Sequence, residues 1–245
     1  MLDKEIEIIK KDFNNSPDIV FRKVKVKKTE ILFIFNTSVS KSDSINEFIL
    51  KKITNIKKRI TRNNIYNHLE NLIPENVIQD VKDKEDLYTK INSGFTIIMF
   101  EKGKPFAIET KEDLSRGVSE PLTEQSIGGP KDAFTENYQT NLGLIRKRLK
   151  SNSFTVKEYT VGKQSRTKVA ILYMDNIVKD ELVKDITSKI EKIDIDAILD
   201  STYIRECIED NHSTFPTIAT TERPDTASIA LLDGRVCIWK ILLIY

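Results

Sequence analysis

Two stretches of the 245-residue sequence follow the same pattern, and this repetition constrains the fold more than any other feature. Residues 31–35 (ILFIF) and 169–173 (VAILY) are dense runs of β-branched and aromatic side chains, which predict buried strands. Each run is followed by a Ser/Asn/Asp-rich turn and then by apolar residues at helical spacing. The two stretches are about 138 positions apart, so one strand–turn–helix unit is predicted to occur twice.

A second correspondence lies further along the chain. Residues 85–100 (EDLYTKINSGFTIIMF) align without a gap on residues 225–240 (DTASIALLDGRVCIWK) at a displacement of about 140, which places Gly94 on Gly234. A short helix that runs through glycine into an apolar strand predicts a left-handed glycine at the helix end. A Glu-Lys-Gly-Lys turn separates residues 95–100 from residues 105–108, so these two runs are expected to form a hairpin within a mixed sheet.

We therefore predict an α/β protein of two lobes, each a small mixed β-sheet packed with helices, related by internal duplication. The alternative, because identity between the copies is low, is chance similarity of two α/β segments. The predicted boundaries are an N-terminal lobe at 1–112, a Gly/Pro-rich linker at 113–131 and a C-terminal lobe at 132–245, with 132–150 helical. The linker is expected to be a hinge or an ordered loop packed across both lobes.

Composition excludes several classes of function. The net charge of +2 gives no global field that would attract nucleic acid, so none is expected as a partner. Basic residues that alternate with apolar ones over residues 21–28 predict the solvated face of a strand, with phosphate or lipid-headgroup binding as the alternative. No apolar run reaches the length of a membrane span, so the chain is expected to be soluble as it stands. Cys207 and Cys237 lack metal-ligand spacing and are expected to be reduced and buried.

Reactive groups do not assemble in the sequence. His68 and His212, the only histidines, have no Cys/His/Asp cluster around them, and the aspartates at 194, 196 and 200 lack the glycine and distal glutamate of a calcium loop. Asp200 or Ser201 is instead expected to cap a helix. Residues 128–131 (GGPK) lack the spacing of a phosphate-binding loop. We expect no catalytic residue, no cofactor and no metal, and hence not an enzyme.

The segment from Glu120 to Ser151 (EPLTEQSIGGPKDAFTENYQTNLGLIRKRLKS) closely resembles the most distinctive block of the A subunits of the GerA family of spore germinant receptors. Its Glu-Pro, Gly-Pro-basic-acidic, Phe-Thr-Glu and Asn-x-Gly-Leu-Ile-Arg-x-Arg elements occur in the family's order and spacing. The similarity continues through short motifs such as Thr221–Asp225 (TERPD) and Leu231–Val236 (LLDGRV), and it covers the first lobe only weakly.

The resemblance implies the soluble N-terminal domain of a receptor A subunit, on the cytoplasmic (core) side of the spore inner membrane. Its implied partners are B and C type receptor subunits, further A subunits through the full-length protein, and the membrane through a membrane region. The implied role is receptor assembly and signal transduction during nutrient-induced germination. Two alternatives remain: a paralogous subunit that accompanies the dipicolinate channel, and a binding module that holds a germinant in a cleft between the lobes. The polar residues that we expect at subunit or interlobe interfaces are Arg116, Glu120, Glu136, Arg146, Arg148, Glu222 and Arg223.

The sequence departs from the family pattern in two places. Gly128 stands where the family has a basic residue and Ala133 where it has a small glycine, which argues against an anion site at that turn. The tail from Cys237 to Tyr245 (CIWKILLIY) lacks the family's continuation. We therefore expect this tail to be a cloning junction or a frame-shifted remnant, and the sheet of the second lobe to lack a strand or to borrow one.

Overall fold

The computed structural model describes residues 2–41, 43–54, 61–72, 78–114, 121, 124, 129–198, 200–209, 217–239 and 243–244. The chain divides into two compact units. Unit 1 comprises Met1–Leu114 with Lys150–Asn152, and unit 2 comprises Ser115–Leu149 with Ser153–Tyr245. Most of the predicted linker lies outside the described residues, so its role as a hinge stays a prediction. Within the described part of the chain, no helix is long and apolar enough to cross a membrane.

Unit 1 is a five-stranded sheet with helices on both faces, and its strand order is β1-β2-β4-β5-β3. One face carries the apolar cluster of α1 and α4, and the other carries that of the helices between β2 and β3. Its elements are α1 (Leu2–Asp12), β1 (Ile19–Val26), β2 (Thr29–Asn36), a π-helical turn (Ser44–Leu50) that continues as α2 (Lys51–Thr54), α3 (Arg62–Leu72), β3 (Ile78–Asp80), α4 (Lys84–Asn92), β4 (Phe95–Phe100) and β5 (Phe106–Glu109).

Unit 2 repeats this arrangement with the strand order β6-β7-β9-β10-β8. One sheet face packs on α5 and α8, and the other packs on α6 and α7. Its elements are α5 (Tyr138–Arg148), β6 (Phe154–Val161), β7 (Thr167–Met174), α6 (Asp180–Glu191), α7 (Ser201–Ile208), β8 (Ala219–Thr220), α8 (Pro224–Leu232), β9 (Cys237–Trp239) and β10 (Leu243–Ile244).

The registers of the two sheets match the correspondence read from the sequence. Phe33 pairs with Ile98 in unit 1, and Ile171 pairs with Ile238 in unit 2. Ile171 lies 138 residues after Phe33, and Ile238 lies 140 residues after Ile98, so the paired residues are related by the two displacements found in the sequence. Gly94 and Gly234 end α4 and α8 with φ of +84° and +81°, so the predicted left-handed glycines are confirmed. The two-lobed α/β class is confirmed as well, and the shared topology supports duplication over chance similarity.

The prediction of mixed sheets is wrong for the described strands, because every neighbouring pair in both sheets is antiparallel. The β4–β5 hairpin forms as expected. β3 and β4 do run parallel across the helix α4, but β5 lies between them and pairs with both. The parallel crossover therefore creates no parallel pair.

The expectation that the sheet of the second lobe lacks a strand or borrows one is also wrong, whereas the proposed origin of the tail stays a prediction. Leu243 and Ile244 form β10, which pairs with β9 on one side and β8 on the other, as β5 does in unit 1. The tail therefore supplies the return strand of its own sheet by backbone pairing on both sides. The segment before α5 differs too, since the helix begins at Tyr138 and not at Asp132. Asn137 caps that helix by accepting a hydrogen bond from the Thr140 amide at 3.0 Å.

Candidate interaction site

The best-defined polar site of unit 2 is formed by the segment before α5, the last turn of α5 and the start of α8. Six side chains contribute to it, and we call them the charge cluster. Its members are Glu124, Asp132, Arg148, Thr221, Arg223 and Asp225.

Arg148 joins α5 to the segment before it. Its Nη2 lies 2.7 Å from both carboxylate oxygens of Asp132, and its Nη1 donates to the carbonyl oxygen of Leu144 at 2.8 Å. The side chains of Arg148 and Asp132 retain 20% and 26% of their exposure. An ion pair that is about three-quarters buried and doubly hydrogen-bonded fixes geometry better than a surface pair does.

Arg223 and Asp225 form the second ion pair, at the start of α8. Arg223 Nε donates to Asp225 Oδ1 at 3.1 Å, and a second bond joins Nη2 to Oδ2. The hydrogen bond from Arg223 holds the pKa of the Asp225 carboxyl below its usual value, and Asp225 raises the pKa of Arg223 in return, with smaller contributions from Glu124 and Asp132. Pro224 opens the helix, where its missing amide costs nothing, and Asp225 complements the positive helix end.

Glu124 fastens the residues before α8. Its Oε2 accepts hydrogen bonds from Thr221 Oγ1 at 2.7 Å and from the Glu222 amide at 3.3 Å. The carbonyl oxygen of Glu222 accepts from the Phe134 amide at 2.8 Å. These bonds hold the segment from Asp132 to Phe134 against residues 221–223.

Asn141 orders the same segment from the helix side. Its Oδ1 accepts from the Thr135 amide at 2.7 Å, and its Nδ2 donates to the Thr135 carbonyl oxygen. Asn141 is buried, with 2% of its surface exposed. Because a buried side-chain amide must have hydrogen-bond partners, these two bonds fix the position of Thr135 relative to α5.

The structure separates the predicted interface residues into groups. Arg148 and Arg223 belong to the charge cluster, Glu222 contacts it through its backbone amide, and Glu136 is exposed. Arg146 is fully buried, and its guanidinium lies 4.5 Å from the centre of the Phe154 ring. Arg223 has its carboxylate partner two residues along the chain. Arg116 and Glu120 lie outside the described residues.

Sequence reasoning missed Glu124 and Asp132. Asp132 lies sixteen residues before Arg148, so helical periodicity does not relate the two. The available signal was its place as the acidic residue of the Gly-Pro-basic-acidic motif, in the same block as the Arg-x-Arg motif.

The charge cluster offers hydrogen bonds and paired charges, not nucleophiles. Among the residues that the structure describes, no group of three or more His, Cys, Asp or Glu side chains could hold a metal ion. Burial raises the pKa of the Cys237 thiol to about 12 and that of Cys207 above its usual value. Cys237 is buried as expected, but Cys207 is exposed on α7, so that part of the expectation is wrong. Asp200 caps α7 as predicted, since Oδ1 accepts from the Thr202 amide at 2.7 Å.

Comparison with known structures defines the class of protein to which this fold and site correspond. The chain superposes over its full length on the crystal structure of the N-terminal domain of the A subunit of the Bacillus megaterium spore germinant receptor GerK3, with a TM-score of 0.76, 26% sequence identity and 94% of that chain covered. The fold is therefore that of a germinant receptor A-subunit domain.

Comparison of sequences identifies the family. Residues 7–240 match the sequence model described as Bacillus/Clostridium GerA spore germination protein. The chain is 31% identical over 243 residues to spore germination protein KA of Bacillus subtilis, covering 97% of this chain and 44% of that protein. It is 30% identical over 207 residues to spore germination protein A1 of the same organism, covering 84% of this chain and 42% of that protein. The chain belongs to the GerA family, as the resemblance implied, and spans less than half the length of these relatives.

Proposed function

We propose that this chain acts in receptor assembly and signal transduction as the N-terminal domain of a germinant receptor A subunit. In this role it lies on the core side of the spore inner membrane and contacts B and C type subunits and other A subunits. Membership of the GerA family and the fold of the GerK3 A-subunit domain support the proposal.

The observation that carries the proposal is the charge cluster. The family's most distinctive motifs meet there, and they are used to hold a short segment in one conformation between α5 and α8. Partly exposed, preorganised arginines and carboxylates suit recognition of another protein, because little side-chain entropy remains to be lost on binding. A rigid connection between two helices also suits transmission of a displacement from one helix to the other.

Arg223→Ala in the full-length A subunit tests the proposal. Co-purification of B and C type subunits with the A subunit from spore membranes should fall strongly, while the isolated chain keeps its circular dichroism spectrum. Lys147→Ala is the matched control, because Lys147 is exposed on α5 between Arg146 and Arg148. Arg223→Lys separates charge from geometry, since lysine keeps the charge and loses the paired bonds.

Normal assembly and a normal germination response in the Arg223→Ala spores would contradict the proposal. Loss of assembly in the Lys147→Ala spores as well would also count against a specific role for the charge cluster. If Arg223→Ala lowers subunit yield through misfolding, the Arg223→Lys variant gives the decisive result.

A further inference from the structure

Unit 1 contains a cavity of about 510 Å³ between α1, α4 and the β4–β5 hairpin. Its volume lies within the range of ordinary small-molecule sites. Apolar side chains from three elements form its wall, among them Leu2 and Ile9 of α1, Leu87 of α4 and Met99 of β4. The inner wall is therefore apolar and largely buried, and charged side chains of α1, α4 and the adjoining loops line the rest.

The internal repeat provides a reference for this cavity. Met99 pairs with Leu32 in unit 1, and Trp239 pairs with Ala170 in unit 2, so Met99 and Trp239 hold equivalent places in the two sheets. Leu2 begins α1 in the same way that Tyr138 begins α5. In unit 2 the rings of Tyr138 and Trp239 are in contact between α5 and β9, with their centres 4.5 Å apart. In unit 1 the smaller Leu2 and Met99 both line the cavity.

The space between the first helix and the third strand of the sheet order thus holds two aromatic rings in unit 2 and is open in unit 1. Ile8, whose exposure is 46%, adds an apolar side chain to the lining. An open apolar cavity at a position where aromatic rings fit is what a bound apolar chain would require.

The mouth of the cavity is charged. Lys82 and Lys104 are exposed there, and Lys84 is paired with Asp12 at 2.7 Å. The acids in the lining are Glu5, Asp83 and Glu101, and Asp83 also accepts a hydrogen bond from the Asp86 amide as the cap of α4.

Further lysines lie at the same end of the sheet. The β1–β2 and β4–β5 turns share that end, because Ile31 pairs with Phe100. Exposed lysines near these turns outnumber the exposed acids in the described residues; they are Lys25, Lys27, Lys28, Lys102 and Lys104. These lysines add positive charge at this end of the sheet, next to a lining in which three lysines face three acids.

We propose that this cavity binds an acyl chain whose head group is anionic. The chain occupies the space between Leu2, Leu87 and Met99, and the head group lies near Lys82 and Lys104. The shared chemistry is a hydrocarbon tail with an acidic end, and its source is either a free fatty acid or an anionic lipid of a bilayer.

Decanoate binding, measured by isothermal titration calorimetry on the 245-residue chain, tests the site. We expect saturable binding at one site per chain, with decanol of the same length binding about tenfold more weakly for want of the charged head. Met99→Trp fills the cavity as Trp239 does in unit 2 and should lower decanoate affinity at least tenfold. Tyr203→Trp, an exposed position on α7, is the matched control and should bind decanoate as the wild type does.

Lys104→Glu provides a second variant that does not disturb the apolar wall. It should weaken decanoate and leave decanol unchanged. Equal affinity of the wild type for decanoate and decanol would overturn the anionic part of the proposal. Decanoate binding that Met99→Trp leaves unchanged, with both proteins folded by circular dichroism, would overturn the assignment to this cavity.

Vesicle flotation distinguishes the two sources. Flotation with phosphatidylcholine vesicles containing phosphatidylglycerol, but not with phosphatidylcholine alone, and its loss in Met99→Trp would identify a bilayer lipid. Decanoate binding without flotation would identify a free fatty acid. Neither binding nor flotation would refute the proposal.

Discussion

Breaking the Arg148–Asp132 pair should lower the free energy of unfolding of unit 2, and the partial burial of the pair sets limits on the size of the loss. An exposed ion pair contributes about 0.2–1 kcal/mol, and breaking a fully buried pair costs about 3–5 kcal/mol. The side chains of Arg148 and Asp132 are 20% and 26% exposed, which places this pair between the limits. We therefore expect Arg148→Ala to lower the free energy of unfolding by about 2 kcal/mol.

The lost hydrogen bond to the Leu144 carbonyl contributes to that cost but does not involve Asp132. A double-mutant cycle with Asp132→Ala removes this contribution and should give a coupling free energy of about 1–1.5 kcal/mol. Because part of the pair is exposed to solvent, the coupling should shrink in 1 M salt.

Urea unfolding followed by tryptophan fluorescence measures this effect in unit 2 alone. Trp239 is the only tryptophan of the chain, and it lies in β9 beside Tyr138. Lys147→Ala is the control and should change the free energy of unfolding by less than about 0.5 kcal/mol. A coupling within about 0.3 kcal/mol of zero would refute the argument that this pair fastens the segment before α5.

Two further predictions concern the helix ends. Alanine at Gly94 would place a Cβ 2.6 Å from the Val39 carbonyl oxygen, whereas at Gly234 the nearest atom would be 3.4 Å away. Both changes should cost about 1–2 kcal/mol for the left-handed backbone, and Gly94→Ala should lower the melting temperature further in calorimetry; equal losses would contradict the clash. For Asp225, whose pKa the hydrogen bond from Arg223 lowers, the stabilisation is present above the unfolded pKa of about 3.9 and is lost as pH falls through the folded value. Asp225→Asn should thus be less stable than wild type by about 1 kcal/mol at pH 6, with the difference shrinking by pH 3; a difference independent of pH would contradict this.

Local features of the fold could be predicted from the sequence because their causes are local. Apolar runs identified β2 and β7, and the glycine after a short helix identified the left-handed residues at Gly94 and Gly234. The order of strands could not be obtained in this way, since the insertion of β5 between β4 and β3 depends on contacts between distant residues. The last strand of unit 2 was missed for the same reason, because the two-residue strand β10 is defined by its pairing with β8 and β9.

The candidate site was predictable only in part. Motif resemblance selected Arg148 and Arg223, but it also selected Arg146, which points into the core at Phe154 while Arg148, two residues on, reaches Asp132. Positions two apart on a helix point in nearly opposite directions, so the helical stripe could have separated them. The cavity of unit 1 was not predicted, although the alignment of the two repeats already matched Met99 to the larger Trp239.

The positions of β5 and β10 affect the order in which the two sheets can form during synthesis. In unit 1 the edge strand β3 is synthesised before β5, the strand that lies beside it among the described strands. On the ribosome β3 must therefore wait, unpaired, until the helix and two more strands have emerged. The same holds for β8 and β10, so closure of each sheet is a late, cooperative event that depends on the arrival of one short strand.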